Sequence, residues 1–510
     1  MNSLRTLTMA CVTLFLTHSQ LSAANYYFDP SVPMNGGGGI GLWFSNKWAT
    51  PTNVAPYTQA WDNTAASNNV AFFQPATVLG THFVDLFGNS VNFGAGGLQW
   101  ATAAQLAIVN LGATPSDLVF DGGSINAGAT NSIATSVRSS IRRISGNFSL
   151  TSGNLLVQTS SGYQGTATVN AGLLIFDSAG SISTSSHANI GGGTMTFNNT
   201  VANGTFGNLS LTSGSVFLQK SAGVTLSGLS GSGGTIQLQG GAGTSAFLTV
   251  NQVATGTATY SGNIIGEAAA NEGLSFTKSG SGTLVLDGSS VRVHRGTTVN
   301  GGTLLINADG SFRDFENFGG TTAVDVASGG TLGGTATFNI LSGDNVLVGS
   351  GGRLTPGAVA GSAGRTTFNF VSGGGLDLTG ATAGSNWLAF DLGAKTTAGT
   401  TYDQIRVTGA SGSLTIGTGL LGFNDFSFNA LSGLEAGTYT LFDSTSLIGS
   451  LSGNLSGRIN NDYVGSLSVV SNTLRMDVTF DVIPEPSTAL LGLVGMGALL
   501  GFRRRNKTAR

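Results

Sequence analysis

The sequence predicts an all-β chain: an elongated right-handed parallel β-helix, or solenoid, with an N-terminal cap and a single C-terminal hydrophobic helix. Three observations predict it. Gly supplies 80 of the 510 residues while only 9% are charged, which excludes a helical bundle, since each interior Gly costs a helix about 1 kcal/mol relative to Ala. A turn glycine then recurs at a nearly constant step. Gly153, Gly172, Gly193, Gly214 and Gly234 follow one another at 19, 21, 21 and 20 residues, and Gly282 and Gly302 are again 20 apart. Each precedes a short run rich in Leu, Val, Ile or Phe, such as Asn-Leu-Leu-Val or Thr-Leu-Leu-Ile. Finally, one unit recurs almost verbatim: Gly146 to Gln158 reads GNFSLTSGNLLVQ and Gly207 to Gln219 reads GNLSLTSGSVFLQ.

A period near 20 with short strands is the mark of stacked coils, in which each unit buries its apolar face only against its neighbours. Leu, Val, Ile and Phe are expected to point inward in columns, Ser and Thr outward, and Gly to hold corners of positive φ. The chain divides in four. Residues 1–24 read as a secretory signal: Arg5, an apolar stretch from Leu7 to Thr17, and the small residues Ser22-Ala23-Ala24. Residues 25–120 hold Trp43, Trp48, Trp61 and Trp100 and the tetraglycine Gly36 to Gly39; they are expected to pack a cap over the open end of the solenoid, with a sugar-stacking platform as the functional alternative. Residues 121–482 form the solenoid, and residues 483–510 a second signal. Cys11, the one cysteine, lies in the first signal, so the processed chain is expected to carry no disulfide, cysteine metal site or thiol nucleophile.

The second signal has three parts in order: Pro484-Glu485-Pro486, an apolar transmembrane-like helix over 488–502, and the cationic stop Arg503-Arg504-Arg505. Fifteen helical residues span about 22 Å, short of the ~30 Å hydrocarbon core, which suits transient inner-membrane insertion with the arginines held on the cytoplasmic side. The layout resembles the PEP-CTERM sorting signal of Gram-negative bacteria. The resemblance implies an exosortase-type membrane processing enzyme as partner, with Pro484, Glu485 and Pro486 as its recognition motif. It implies a membrane-inserted precursor, then a cell-surface or extracellular destination.

Within the solenoid, residues 272–307 read EGLSFTKSGSGTLVLDGSSVRVHRGTTVNGGTLLIN. Lys278, Gly280, Gly282, Thr283, Leu284, Gly296, Thr297, Gly302, Thr303 and Leu304 resemble the autotransporter-associated β-strand repeat, whose Tyr before the Gly-x-Thr step is here His294. The resemblance implies a passenger-like rod. Gly437 to Asp443 and Leu474 to Val478 look like its closing coils.

Little in the sequence points to catalysis. His82, His187 and His294 show no metal-type spacing. The acidic pairs Asp117/Asp121, Glu267/Glu272 and Asp314/Glu316 are the candidates for general acid–base work on a lyase or hydrolase face; Arg142-Arg143 and Arg292/Arg295 are candidates for binding acidic polysaccharide. All read more simply as solvated points on a nearly uncharged rod. Gly417 to Gly422 matches G-x-G-x-x-G, a pattern expected by chance at this glycine content and followed by no helix. The net charge of −3 excludes nucleic acid as a partner. The expected role is an exported, non-enzymatic structural or adhesive protein of the cell surface or extracellular matrix, without cofactor or metal. Its expected partners beyond the exosortase are extracellular polysaccharide or other cells. The alternatives are a polysaccharide lyase or hydrolase on the same rod, or a passive exopolysaccharide-binding protein.

Overall fold

A computed structural model describes residues 144–481 apart from short loop segments, the backbone of the strands between residues 25 and 145, and Met496. The signal at 1–24, the sorting motif at Pro484 to Pro486, the helix expected over 488–502 and Arg503 to Arg505 lie outside the described residues; Met496 alone is assigned, and it is helical. Among the described residues no helix is long and apolar enough to cross a membrane.

The chain divides into two compact units, Met1–Ser186 and His187–Arg510. In the first, strands Asn25–Phe28, Val70–Phe73, Gly97–Trp100, Gly123–Asn126 and Phe148–Ser152 pair in parallel, each with the next. Parallel pairing therefore runs through residues 25–120 and past residue 121 without a break. At its beginning, Trp48–Ala49 lies antiparallel on the edge of Asn25–Phe28. Farther along, the Tyr163 ring meets Phe148 edge-on at 5.4 Å between centroids, and its hydroxyl donates to the Gly146 carbonyl.

In the second unit the chain winds around three parallel sheets. The first includes Gly273–Ser279, Thr297–Val299 and Thr322–Val326; the second, Ser290–Val293, Phe312–Phe315 and Thr337–Ile340; the third, Thr283–Leu286, Gly302–Ile306 and Gly330–Gly334. From Gly273 to Ser444 every turn visits first, third and second sheet in that order. Before Thr257 the turns alternate between the first two sheets alone. The third sheet thus begins within the unit, at Thr257–Tyr260.

Strict register stacks like on like. In the third sheet Leu284, Leu304, Leu332, Leu354, Leu388 and Phe426 form one column, each at most 4% exposed. Each such side chain contributes about 1.5–3 kcal/mol by burial. In the second sheet Phe315, Phe338 and Phe368 stack with 5.1 Å between successive centroids.

The turn glycines carry the coil-to-coil ladder. The carbonyls of Gly153, Gly193, Gly214, Gly234 and Gly282 accept from the amides of Leu173, Ser215, Thr235, Asn263 and Thr303, at the starts of the next strands in their columns. Close approach follows: a Cβ on Gly172 would collide with the Gly153 carbonyl oxygen, and one on Gly214 with that of Gly193. Gly153, Gly172, Gly214, Gly234 and Gly302 have positive φ, as expected of corners; Gly193 and Gly282 do not, and their place in the series rests on the carbonyl they present.

Two expectations about the stack are corrected. Leu474 to Val478 is no coil. Thr473–Phe480 pairs antiparallel with both Tyr463–Val470 and Gly437–Ser444. Ser471 and Asn472 both have positive φ, the two-residue turn that hairpins favour. This hairpin covers the edge that a further coil would otherwise occupy.

Apolar-in, polar-out also fails within the matched repeat: Thr297 is buried in the inward column between Phe276 and Val324, and Lys278 is the extreme case. Lys278 stands in the inward column between Val250 and Val299 and is fully buried. Its ammonium donates to the carbonyls of Ser279 (2.7 Å), Gly280 (3.0 Å) and, one coil on, Gly301 (3.0 Å). The lysine staples a corner to its neighbour. Burial pushes its pKa down from 10.5 to about 8.

Two measurements check this account. Gly214→Ala is expected to abolish hydrogen-exchange protection at the Ser215 amide, whereas Gly453→Ala, with no atom within 4 Å of the added Cβ, leaves protection unchanged. For Lys278 the sign follows from the lowered value. Between about pH 8 and 10.5 the unfolded chain binds more protons than the folded one, so stability rises with pH across that window. The urea midpoint of the wild type is expected to climb relative to that of Lys278→Met between pH 8 and 10.5; parallel profiles would refute the lowered pKa.

Candidate functional site

The outer face of the third sheet carries a groove of about 490 Å³, within the range typical of ligand sites. Register builds its floor. Thr257, Thr283, Thr303, Thr331 and Arg353 follow one another in a single outward column. The adjacent outward column holds Thr259, Val285, Leu305, Gly333 and Thr355. Val285 and Leu305 face outward yet are only 6% and 4% exposed, because the outer face is overlaid here. Periodicity does not single them out, since they sit inside continuous apolar runs.

Two loops flank the floor. The first, Gly357 to Gly364, brings Val359 into the lining. It is tied to an earlier coil by Asn307 Nδ2, which donates to the Ala358 carbonyl at 2.9 Å. Its far end is held by Asp403, whose Oδ1 accepts from the Gly364 amide (2.7 Å) and whose Oδ2 accepts from the Asp391 amide (2.8 Å). The second loop contributes Ser385 and Asn386. Here Asp425 Oδ1 accepts from the Gly384 amide (2.6 Å) and the Trp387 indole (3.0 Å), while Oδ2 accepts from the Gly422 amide (2.8 Å). Asn386 itself has φ 52°, a strained corner for a residue with a side chain.

Both anchoring carboxylates are buried, at 1% and 2% exposure. Burial pushes the Asp403 carboxyl up to about 8, helped by the neighbouring Asp391 and opposed by the two amides that donate to it. Neither anchor lines the groove. The lining residues offer hydroxyls, one guanidinium and an apolar strip, and they include no carboxylate or imidazole. Hydroxyls, a guanidinium and an apolar strip are groups that can hold a polar ligand by hydrogen bonds and contact.

Of the residues singled out from sequence, Thr283 and Thr303 of the repeat line the groove, and none of the His, Asp, Glu or Arg candidates is among its lining residues. His187 Nδ1 accepts the amide of Asn208 one coil on, at 2.9 Å, a structural bracket. Arg142 and Arg143 lie in strand Ile141–Ser145 and Asp117 in Ser116–Val119. Asp314 pairs in register with Arg292. Asp121, Glu267, Glu272 and Glu316 lie outside the described residues, so none of the three acidic pairs is seen whole. Among the described residues no group of three or more His, Cys, Asp or Glu is placed to hold a metal ion. Sequence reasoning missed Asp403, Asp425 and the groove. The one available signal was Trp387, the lone tryptophan of the solenoid, whose indole needs a buried acceptor.

No curated protein matches the chain at a significant level. Residues 482–506 match the PEP-CTERM protein-sorting motif, a stretch that contains Pro484, Glu485, Pro486 and Arg503 to Arg505. The chain therefore carries a PEP-CTERM sorting signal, which indicates export through an exosortase-type system and is consistent with a cell-surface or extracellular destination.

Proposed function

We propose that the chain is a non-enzymatic structural or adhesive protein of the cell surface or extracellular matrix, delivered there by exosortase processing near Pro484-Glu485-Pro486. One observation carries the reading: a sorting signal joined to in-register coils whose outward columns are mostly uncharged hydroxyl and amide side chains, such as Thr194, Ser215, Thr235 and Asn263 in the second sheet. A surface of this kind acts by many weak contacts repeated along the stack. The likeness of residues 272–307 to the autotransporter-associated repeat supports the same reading: its two Gly-x-Leu runs stand in neighbouring rungs of one sheet, Thr283 against Thr303 and Leu284 against Leu304. In this reading the apolar helix and arginines serve insertion and processing, and the coils serve contact.

The experiment is fractionation of cells that carry an exosortase and express either the native chain or one with Pro484, Glu485 and Pro486 replaced by Ala. The native chain is expected at the surface or in the medium at reduced mass, and the variant at full length in the membrane fraction. Identical mass and location for the two would refute the sorting step. Unchanged cell aggregation and matrix retention on deletion of residues 144–481 would refute the adhesive role.

A further inference from the structure

The groove on the third sheet asks for a ligand of definite chemistry. Thr257, Thr283, Thr303 and Thr331 present four hydroxyls in one straight column, and no backbone or side-chain group among the described residues takes part in a hydrogen bond with any of them. Other hydroxyls of the unit are used differently. Thr335 Oγ1 donates to the Asn307 carbonyl and Thr366 Oγ1 to that of Gly334, closing one coil on another. The groove threonines do no such work, although the interval of about 4.8 Å between rungs would allow it. Their column ends at Arg353, which is exposed and makes no ion pair within the described residues. Beside them, Leu305 and Val359 give the groove an apolar strip. From Thr257 to Arg353 the column spans four steps, about 19 Å.

These features together fit an elongated ligand that is itself periodic, rich in hydroxyls, apolar on its ring faces and negatively charged. We propose that the groove binds a strand of anionic polysaccharide of the uronate class, laid along the coil axis. One carboxylate meets the Arg353 guanidinium in a bidentate pair. Sugar hydroxyls exchange hydrogen bonds with Thr283, Thr303 and Thr331, and a ring face rests on the exposed side chain of Val359. The two loops, pinned from beneath by Asp403 and Asp425, fix the width of the channel before the ligand arrives, which lowers the ordering cost of binding. The inference rests on the proposed surface role and names the partner of that role at one site.

The test is calorimetric titration of the full chain with hexagalacturonate and, separately, with the neutral chain maltohexaose. Hexagalacturonate is expected to bind, with affinity that falls as salt is raised; maltohexaose is expected to bind at least about tenfold more weakly, since it lacks the charged hydrogen bonds. Arg353→Gln is expected to cost about tenfold in hexagalacturonate affinity, and Thr303→Val with Thr331→Val a further several-fold. Arg406→Gln, which removes a surface arginine outside the groove lining, is expected to leave binding unchanged. Circular dichroism and the urea midpoint verify that all variants fold. No binding of hexagalacturonate, equal binding of maltohexaose, or undiminished binding by Arg353→Gln would overturn the proposal. Whole-cell labelling of Arg353→Gln separates the two levels: a variant that reaches the surface normally while binding is unaffected refutes the groove and leaves the surface role standing.

Discussion

The structure depends on parallel, in-register hydrogen bonding from one coil to the next. Once the carbonyl of a turn glycine must accept the amide of the next coil's strand, as Gly193 does from Ser215 and Gly214 from Thr235, each residue stacks on its counterpart at a fixed interval. The low charge of the chain follows. A column of one charge type would place like charges about 4.8 Å apart, a repulsion with no compensation. Charged side chains therefore stand singly or against their opposites. Lys278 lies between two valines, Arg353 ends a run of threonines, and Arg406 stands in register with Asp443 and pairs with it at 3.2 Å. Amides obey the same rule without the penalty: Asn339, Asn369 and Thr408 link across successive coils of the second sheet.

Where a coil grows beyond its rungs, the ladder fails and another acceptor is needed. A loop amide that meets no carbonyl of the next coil must find a partner elsewhere, since buried backbone groups are rarely left unpaired. Gly364, Gly384 and Gly422 find theirs in Asp403 and Asp425. Burying a carboxylate is costly, and the rise of the Asp403 pKa to about 8 registers that cost. The return is a fixed loop. Lys278 is the mirror case: a buried cation that satisfies three carbonyls at a corner.

The recurrent features were legible from residues alone. The glycine step, the Leu and Val columns and the parallel stack all follow from a period near 20. What escaped was whatever occurs once. Lys278 was visible as part of a repeat pattern, but its inward position is set by alternation from Val250 and Val299 across the stack, which a single strand does not reveal. Asp403 and Asp425 act over loops of irregular length, so no spacing announces them. The closing hairpin turns on Ser471-Asn472, where neither residue is Gly, and the Leu and Val around it look like one more rung. The start of the third sheet at Thr257 was hidden as well, because a short Thr-Ala-Thr-Tyr strand lacks the Leu-rich core of the others.

Stacking also shows why the groove threonines call for an explanation beyond the fold. Threonine suits a strand, with its branched side chain on a pleated surface, and that alone would place it on any outward face. In the second sheet, however, the corresponding outward column changes from Thr194 to Ser215, Thr235 and Asn263, and its neighbour admits Phe217 and Ile265. A sheet that merely needs a β-former accepts that variety. The third sheet keeps threonine through four successive rungs, although none of the four hydroxyls serves the stack. It does so on a face where two carboxylate-anchored loops flank a groove. Uniform hydroxyls without a structural partner among the described residues, lying along a groove, are what the proposed repeating ligand would require.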